Sequence, residues 1–171
     1  MLTKRIEDAL NQQINKEFYS AYLYLSMSAY CASIGLEGFA NWMKVQYEEE
    51  VFHTMKIYNY LLDRKGKVIL ETIEKPDNEW INVIELFENV LKHEQFVTQS
   101  INHLMDIAIE EKDHATVSFL KWFVDEQVEE EVAAEAIIDK LKLIKGEGNG
   151  IFMIDKDLAA RVFTVPADTQ Q

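Results

Sequence analysis

One cysteine, two prolines and six glycines in 171 residues leave this chain with little covalent or conformational punctuation. Cys31 cannot pair within the chain, so a disulfide frame is excluded and the residue reads as a small buried hydrophobe. A chain of this length can bury a full core as one domain without staples, and a reducing, cytoplasmic setting is expected. No uninterrupted apolar run is long enough to span a bilayer, and the N-terminal MLTKRIEDAL lacks the apolar stretch of a signal peptide. Basic residues are also few: 17 Lys and Arg against 30 Asp and Glu give a formal net charge of -13. That balance argues against nucleic acid or an anionic membrane as partner and favours cations. No His-Glu-x-x-His zinc signature occurs, and there is no low-complexity tract or short repeat.

What the sequence does contain is helical periodicity, with the scarce glycines and prolines at its interruptions, so the expected class is all-α. Thr3 caps a first helix that stops at Ser33-Ile34-Gly35. A second runs from about Leu36 to Lys65 and ends at Gly66. Pro76, Asp77 and Asn78 signal a third, to about Glu111, and Asp113 begins a fourth that ends at Lys145-Gly146. A short fifth segment covers Ile151 to about Arg161, followed by the polar tail ADTQQ. Between the second and third helices lies GKVILETIEKPDN. These 13 residues reach about 45 Å when extended, close to the roughly 43 Å of a 29-residue helix. They can travel the length of the bundle, so the second and third helices are expected to run parallel.

The stretch Tyr47–His53 reads YEEEVFH, and three adjacent acids on a helix cannot all face water. Steps of four and three give the apolar seams. The first helix has Leu10, Ile14, Glu17, Ala21, Tyr24 and Ser28; the second has Phe39, Met43, Gln46, Glu50, His53, Ile57 and Tyr60. The third has Val83, Phe87, Val90, Glu94, Val97, Ile101 and Leu104, and the fourth has Thr116, Leu120, Phe123, Gln127, Glu130, Ala134, Ile137 and Leu141. Each seam is broken by a glutamate near mid-helix, so all four carboxylates meet at one depth. Isolated carboxylates in a low-dielectric core are costly and repel one another, so a cation is required. Glu50-x-x-His53 puts an oxygen and a nitrogen ligand on one helical face, a donor set suited to iron or manganese. His93, His103 and His114 lie off the seams and read as surface or partly packed residues.

This arrangement resembles the ferritin family, specifically the bacterial non-haem ferritins, over essentially the whole chain. The resemblance implies a four-helix bundle with a long crossover between the second and third helices and a short fifth helix. It implies a di-iron ferroxidase centre: Glu17, Glu50 and His53 as ligands of a first iron, Glu50 bridging to a second held by Glu94 and Glu130, with Gln127 beside it. Tyr24, one to two turns from Glu17, would reach the metal shell. Glu49, Glu126 and Glu129, with Glu130, resemble a third iron site. Haem is not expected, because Phe52 stands where bacterioferritin-type chains carry the haem methionine. Ferrous iron and O2 or H2O2 are the implied substrates, and the product is a ferric mineral inside a homo-oligomeric cage of 24 chains.

On this reading residues 1–145 form the di-iron bundle, 146–162 the fifth helix for cage assembly and 163–171 the tail. Ile151, Ile154 and Leu158 are expected to face another subunit. Val117 and Leu120 stand where many animal ferritins carry the acids of a three-fold entry channel, so iron is expected to enter elsewhere, beside Glu49, Glu126 and Glu129. Two rivals share these features: a di-iron oxidase or peroxidase without a cage, and a metal-free acidic bundle used for interaction.

Overall fold

The computed structural model describes residues 2–145 and 148–165. Five helices follow in order: α1 (Lys4–Ser33), α2 (Glu37–Asp63), α3 (Val83–Glu110), α4 (His114–Leu143) and α5 (Asn149–Leu158). The polar tail ADTQQ and Gly146, the expected stop of α4, lie outside the described residues. The Thr3 hydroxyl accepts from Ile6 N at 3.4 Å and the Asp113 carboxylate from Thr116 N at 3.0 Å, capping α1 and α4.

The third helix starts later than Pro76–Asn78 suggested. Asn82 is its cap, accepting from Ile84 N and Glu85 N at 3.0 Å each, while Glu85 Oε2 accepts from Ile81 N at 2.6 Å. Asn82 thus meets two donors that the first turn leaves free, and Glu85 reaches back to the residue before the cap. The crossover therefore runs from 64 to 82, and α1 holds it along its length. Lys67 N donates to Glu7 Oε2 (2.9 Å), Ile69 N to Asn11 Oδ1 (2.7 Å) and Asn15 Nδ2 to Thr72 O (3.1 Å). Ser26 Oγ donates to Asp77 O (2.7 Å) and the Tyr30 hydroxyl to Trp80 O (2.8 Å). Partner numbers rise together, so the crossover ascends beside α1 and delivers α3 to the end where α2 began. Helices α2 and α3 are parallel, as the length argument required.

The core has two parts. One contains Tyr24, Met27, Phe39, Met43, Phe87, Val90, Ala134 and Ile137; the other contains Leu10, Ile14, Ile57, Leu61, Val97, Ile101, Leu120 and Phe123. Every long helix passes from one to the other through its seam glutamate. The carboxylates thus form a polar layer between two apolar blocks.

Two expectations are corrected here. Leu120 is fully buried in the second block and Val117 packs against it, so Leu120 does not line a channel. Ile154 is buried, and Ile151 and Leu158 are partly buried, against the first block of the same chain. The reason is that α5 folds onto the start of α2: Asp155 Oδ1 accepts from Gly38 N (2.8 Å) and Phe39 N (3.0 Å). This supplies the cap that Leu36 cannot. Gly38 is obligatory at this crossing, because a Cβ there would stand 1.6 Å from Asp155 O.

Candidate metal centre

Of the three adjacent glutamates, Glu50 is buried while Glu48 and Glu49 are not fully enclosed. Glu17, Glu50, His53, Glu94, Gln127 and Glu130 are each no more than 5 % exposed. Donor atoms of Glu17, Glu50 and His53 lie within 4.8 Å of one another, and so do those of His53, Glu126 and Glu130. Two triplets therefore share the His53 ring. His53 Nδ1 is 3.6 Å from Glu50 Oε2, and the ring is framed by the edges of Trp122 and Phe123.

Glu94 stands in neither triplet, and both its oxygens are engaged: Oε1 accepts from the Tyr24 hydroxyl, and Oε2 from Gln127 Nε2 at 3.2 Å. Tyr24 and Gln127 thus meet the site through Glu94. Gln46, a seam residue given no role above, donates to Glu130 Oε2 at 2.8 Å. Gln13 donates to Glu17 Oε1 at 2.7 Å and accepts from Ser100 Oγ at 2.6 Å, which in turn accepts from Lys16 Nζ at 2.5 Å. Gln13 sits one turn before Glu17, a spacing that could have revealed it.

The outer acids divide. Glu126 joins the second triplet; Glu49 pairs with Arg161 at 2.6 Å; Glu129 is exposed and belongs to neither triplet. No sequence signal pointed to Arg161, which follows the last helix.

Glu17 Oε2, Glu50 Oε2 and Gln46 Oε1 are buried with no hydrogen-bond partner among the described residues. Protons compensate for this crowding. Burial, then the carboxylates of Glu17, Glu94 and Glu130, push Glu50 well above the ordinary range. Burial, then Glu130, push Glu94 up to about 8 against the hydrogen bonds from Tyr24 and Gln127. Burial lowers the His53 pKa despite Glu17 and Glu130, keeping the imidazole neutral as a metal ligand must be. Convergent hard oxygens with free lone pairs and one neutral nitrogen fit a divalent transition ion.

A family profile described as the ferritin-like domain matches residues 7–144. The bacterial non-heme ferritin of Staphylococcus saprophyticus is 46% identical over 163 residues, covering 95% of this chain and 98% of that protein. The chain belongs to the ferritin family. Iron storage is its function accordingly. The Staphylococcus aureus bacterial non-heme ferritin is 42% identical over the same shares. Among solved structures, an engineered closed form of the Archaeoglobus fulgidus ferritin superposes with a TM-score of 0.94 at 48% identity, over 96% of this chain and 100% of that one. An open-pore ferritin from the same archaeon gives 0.93 at 47% identity, over 95% and 99%. Across this ferritin's described residues, no helix is long and apolar enough to cross a membrane.

Proposed function

We propose that this ferritin oxidises the iron it stores, at the layer between its two apolar blocks. Glu17, Glu50 and His53 would hold one ferrous ion; Glu50 and Glu130, with Glu94, would hold a second. Gln127 and Tyr24 would position Glu94, and Glu126, Glu49 and Glu129 would supply an outer third site. Paired ferrous ions together give up two electrons, which reduce dioxygen to hydrogen peroxide with uptake of two protons, or hydrogen peroxide to water. Ferric product would then pass to a mineral inside a shell of 24 identical chains.

The observation that carries this reading is the pair of buried oxygens without a hydrogen-bond partner among the described residues, Glu17 Oε2 and Glu50 Oε2, on two residues that converge with His53 at the one level where all four seams turn acidic. Desolvating such oxygens without a partner costs too much for a purely structural layer. Protonated carboxyls hold the site before iron arrives, and iron takes their place as the carboxyls ionise. The chain's own contribution is geometry and charge: the apolar blocks exclude water above and below, while Gln13, Gln46 and Gln127 aim Glu17, Glu130 and Glu94.

The test is aerobic addition of ferrous iron to purified protein, following the initial rate of ferric formation, the iron retained and the particle mass. Wild type should oxidise fast, retain iron and elute far above the mass of a few chains. Glu50→Ala with Glu130→Ala should lose the fast phase; a rate equal to wild type would refute the site. The closed and open-pore Archaeoglobus forms are reason to measure shell mass directly.

A further inference from the structure

The segment after α5 turns back over the outer face of α2, and Asn41 holds it there. Asn41 Nδ2 donates to the carbonyls of Leu158 (3.2 Å), Ala159 (3.4 Å) and Arg161 (2.9 Å). Farther along, Phe163 meets Phe52 with ring centroids 6.2 Å apart. Between these anchors the Arg161 guanidinium lies 4.6 Å from the centre of the Trp42 ring, and its Nη2 donates to Glu49 Oε2 at 2.6 Å. The Glu49 carboxylate feels Glu130 and Glu126 as repulsive neighbours. A tethered monovalent cation thus stands at the outer edge of the acidic layer.

A second arginine shows what a fully satisfied pair looks like in this fold. Arg64 engages Asp113 with both nitrogens, Nη1 to Oδ1 at 3.1 Å and Nη2 to Oδ2 at 2.7 Å, and also reaches Tyr60 and Thr116. Arg161 makes a single contact with its carboxylate, and its Nη1 is buried with no partner among the described residues. A charged donor left unmet weakens the hold on the group that carries it. A guanidinium also cannot shed its charge at any working pH. It leaves a carboxylate when another cation replaces it.

We infer that Arg161 is a tethered placeholder cation: a divalent metal ion arriving between α2 and α4 displaces it from Glu49, and the 159–165 strap shifts as it lets go. The inference rests on the proposed reading of the acidic layer as an iron site. A divalent ion on Glu49 Oε2 would stand next to the guanidinium, and the two positive charges repel at that range. A divalent ion brings twice the charge to Glu49, Glu126 and Glu130, while the displaced guanidinium keeps the Trp42 face. Arg161 would therefore set a threshold that monovalent ions do not cross, making it a specificity-determining residue for what enters the site.

The experiment uses zinc(II), which is redox-inert, titrated calorimetrically into the metal-free full-length protein. Arg161→Gln should tighten the outermost zinc site about fivefold or more, the lower range of ordinary coupling between sites. In a Glu49→Gln background the same change should do nothing, because the contested oxygen is altered. Glu50→Ala is the control for the underlying reading. If it leaves the zinc isotherm unchanged, the metal-site reading fails. If it removes zinc while Arg161→Gln superimposes on wild type, only the placeholder role fails. Trypsin gives a second readout without any variant, since it cuts after Arg161. Release of the 162–171 peptide, normalised to cleavage after the exposed Lys67, should accelerate when zinc is added. Unchanged or slower release would overturn the displacement.

Discussion

At the scale of single residues, the acidic layer is built from buried glutamates that hold on to protons, and this has a consequence for stability. Glu94 is pushed up to about 8 by burial and by Glu130, so the folded state holds its proton more tightly than the unfolded chain. The stability this contributes is fully present below the unfolded value near 4.5 and is lost as pH rises through about 8. Glu50 acts in the same direction. His53, whose pKa burial depresses, acts oppositely: its contribution is present above 6.5 and is lost as pH falls. Between pH 6.5 and 8 the carboxyls decide, so guanidinium denaturation of metal-free protein should show a falling midpoint, and Glu94→Gln should flatten that fall. A midpoint rising with pH in wild type would contradict the assignment. Iron should reverse the trend, and its binding near neutral pH should release protons, seen as a buffer-dependent heat. Gln46 offers a second check. Gln46→Leu removes the 2.8 Å bond to Glu130 without touching a proposed ligand, and supporting bonds of this kind typically change metal affinity about 10–100-fold. An unchanged affinity would leave Gln46 as packing alone. The burial of Glu17, Glu50, Glu94 and Glu130 was legible from seam periodicity because an acid in an apolar stripe has one place to go. The bonds that hold them were less legible, since whether Gln46 points at Glu130 depends on a helix 84 residues away.

At the scale of elements, the helix stops show how a correct boundary can rest on a different cause. Gly66 does close α2, with its N–H on Leu61 O at 2.8 Å and that of Lys65 on Leu62 O at 2.9 Å, the paired bonds of a Schellman end. The left-handed residue is nevertheless Lys65, with φ 61°. Gly66 is needed for room, because a Cβ there would come within 2.4 Å of Leu61 Cδ1. Lys65→Gly should therefore raise the denaturation midpoint, by about 0.5–1 kcal/mol in stability, and Gly66→Ala should lower it. If both substitutions acted alike, the division of labour would be wrong. The α5 helix was harder to place. Ile151, Ile154 and Leu158 announce an amphipathic helix, but periodicity does not say whose core receives the apolar face. That was decided by Gly38 and Asp155, residues whose pairing across the chain leaves no local pattern. Asp155→Ala removes the cap of α2 and should cost about 0.5–2 kcal/mol, measured as a lower midpoint with helix content retained. Loss of stability should therefore accompany any truncation after Lys145, even in a chain kept from assembling.

At the scale of the whole molecule, the crossover fixes which surfaces remain for assembly. Ascending beside α1, it covers one side of the bundle, while α5 and the strap cover the start and outer face of α2. What α5 leaves outside is a different pair from its periodic face: Phe152 is 63% and Met153 71% exposed. Phe152 and Met153 add two large apolar side chains to the outer surface, and closed shells are built by repeating one patch around a symmetry axis. Because Ile154 already anchors α5 to its own bundle, Phe152 and Met153 can be changed without removing the helix. Phe152→Glu with Met153→Glu should lower the assembled mass, read by light scattering after size exclusion. Helix content should stay unchanged, and ferrous binding at the intrachain layer should persist. A full-size particle from the double variant would show that shell contacts lie elsewhere. Loss of ferrous binding together with assembly would mean that the metal layer needs the shell to hold its shape.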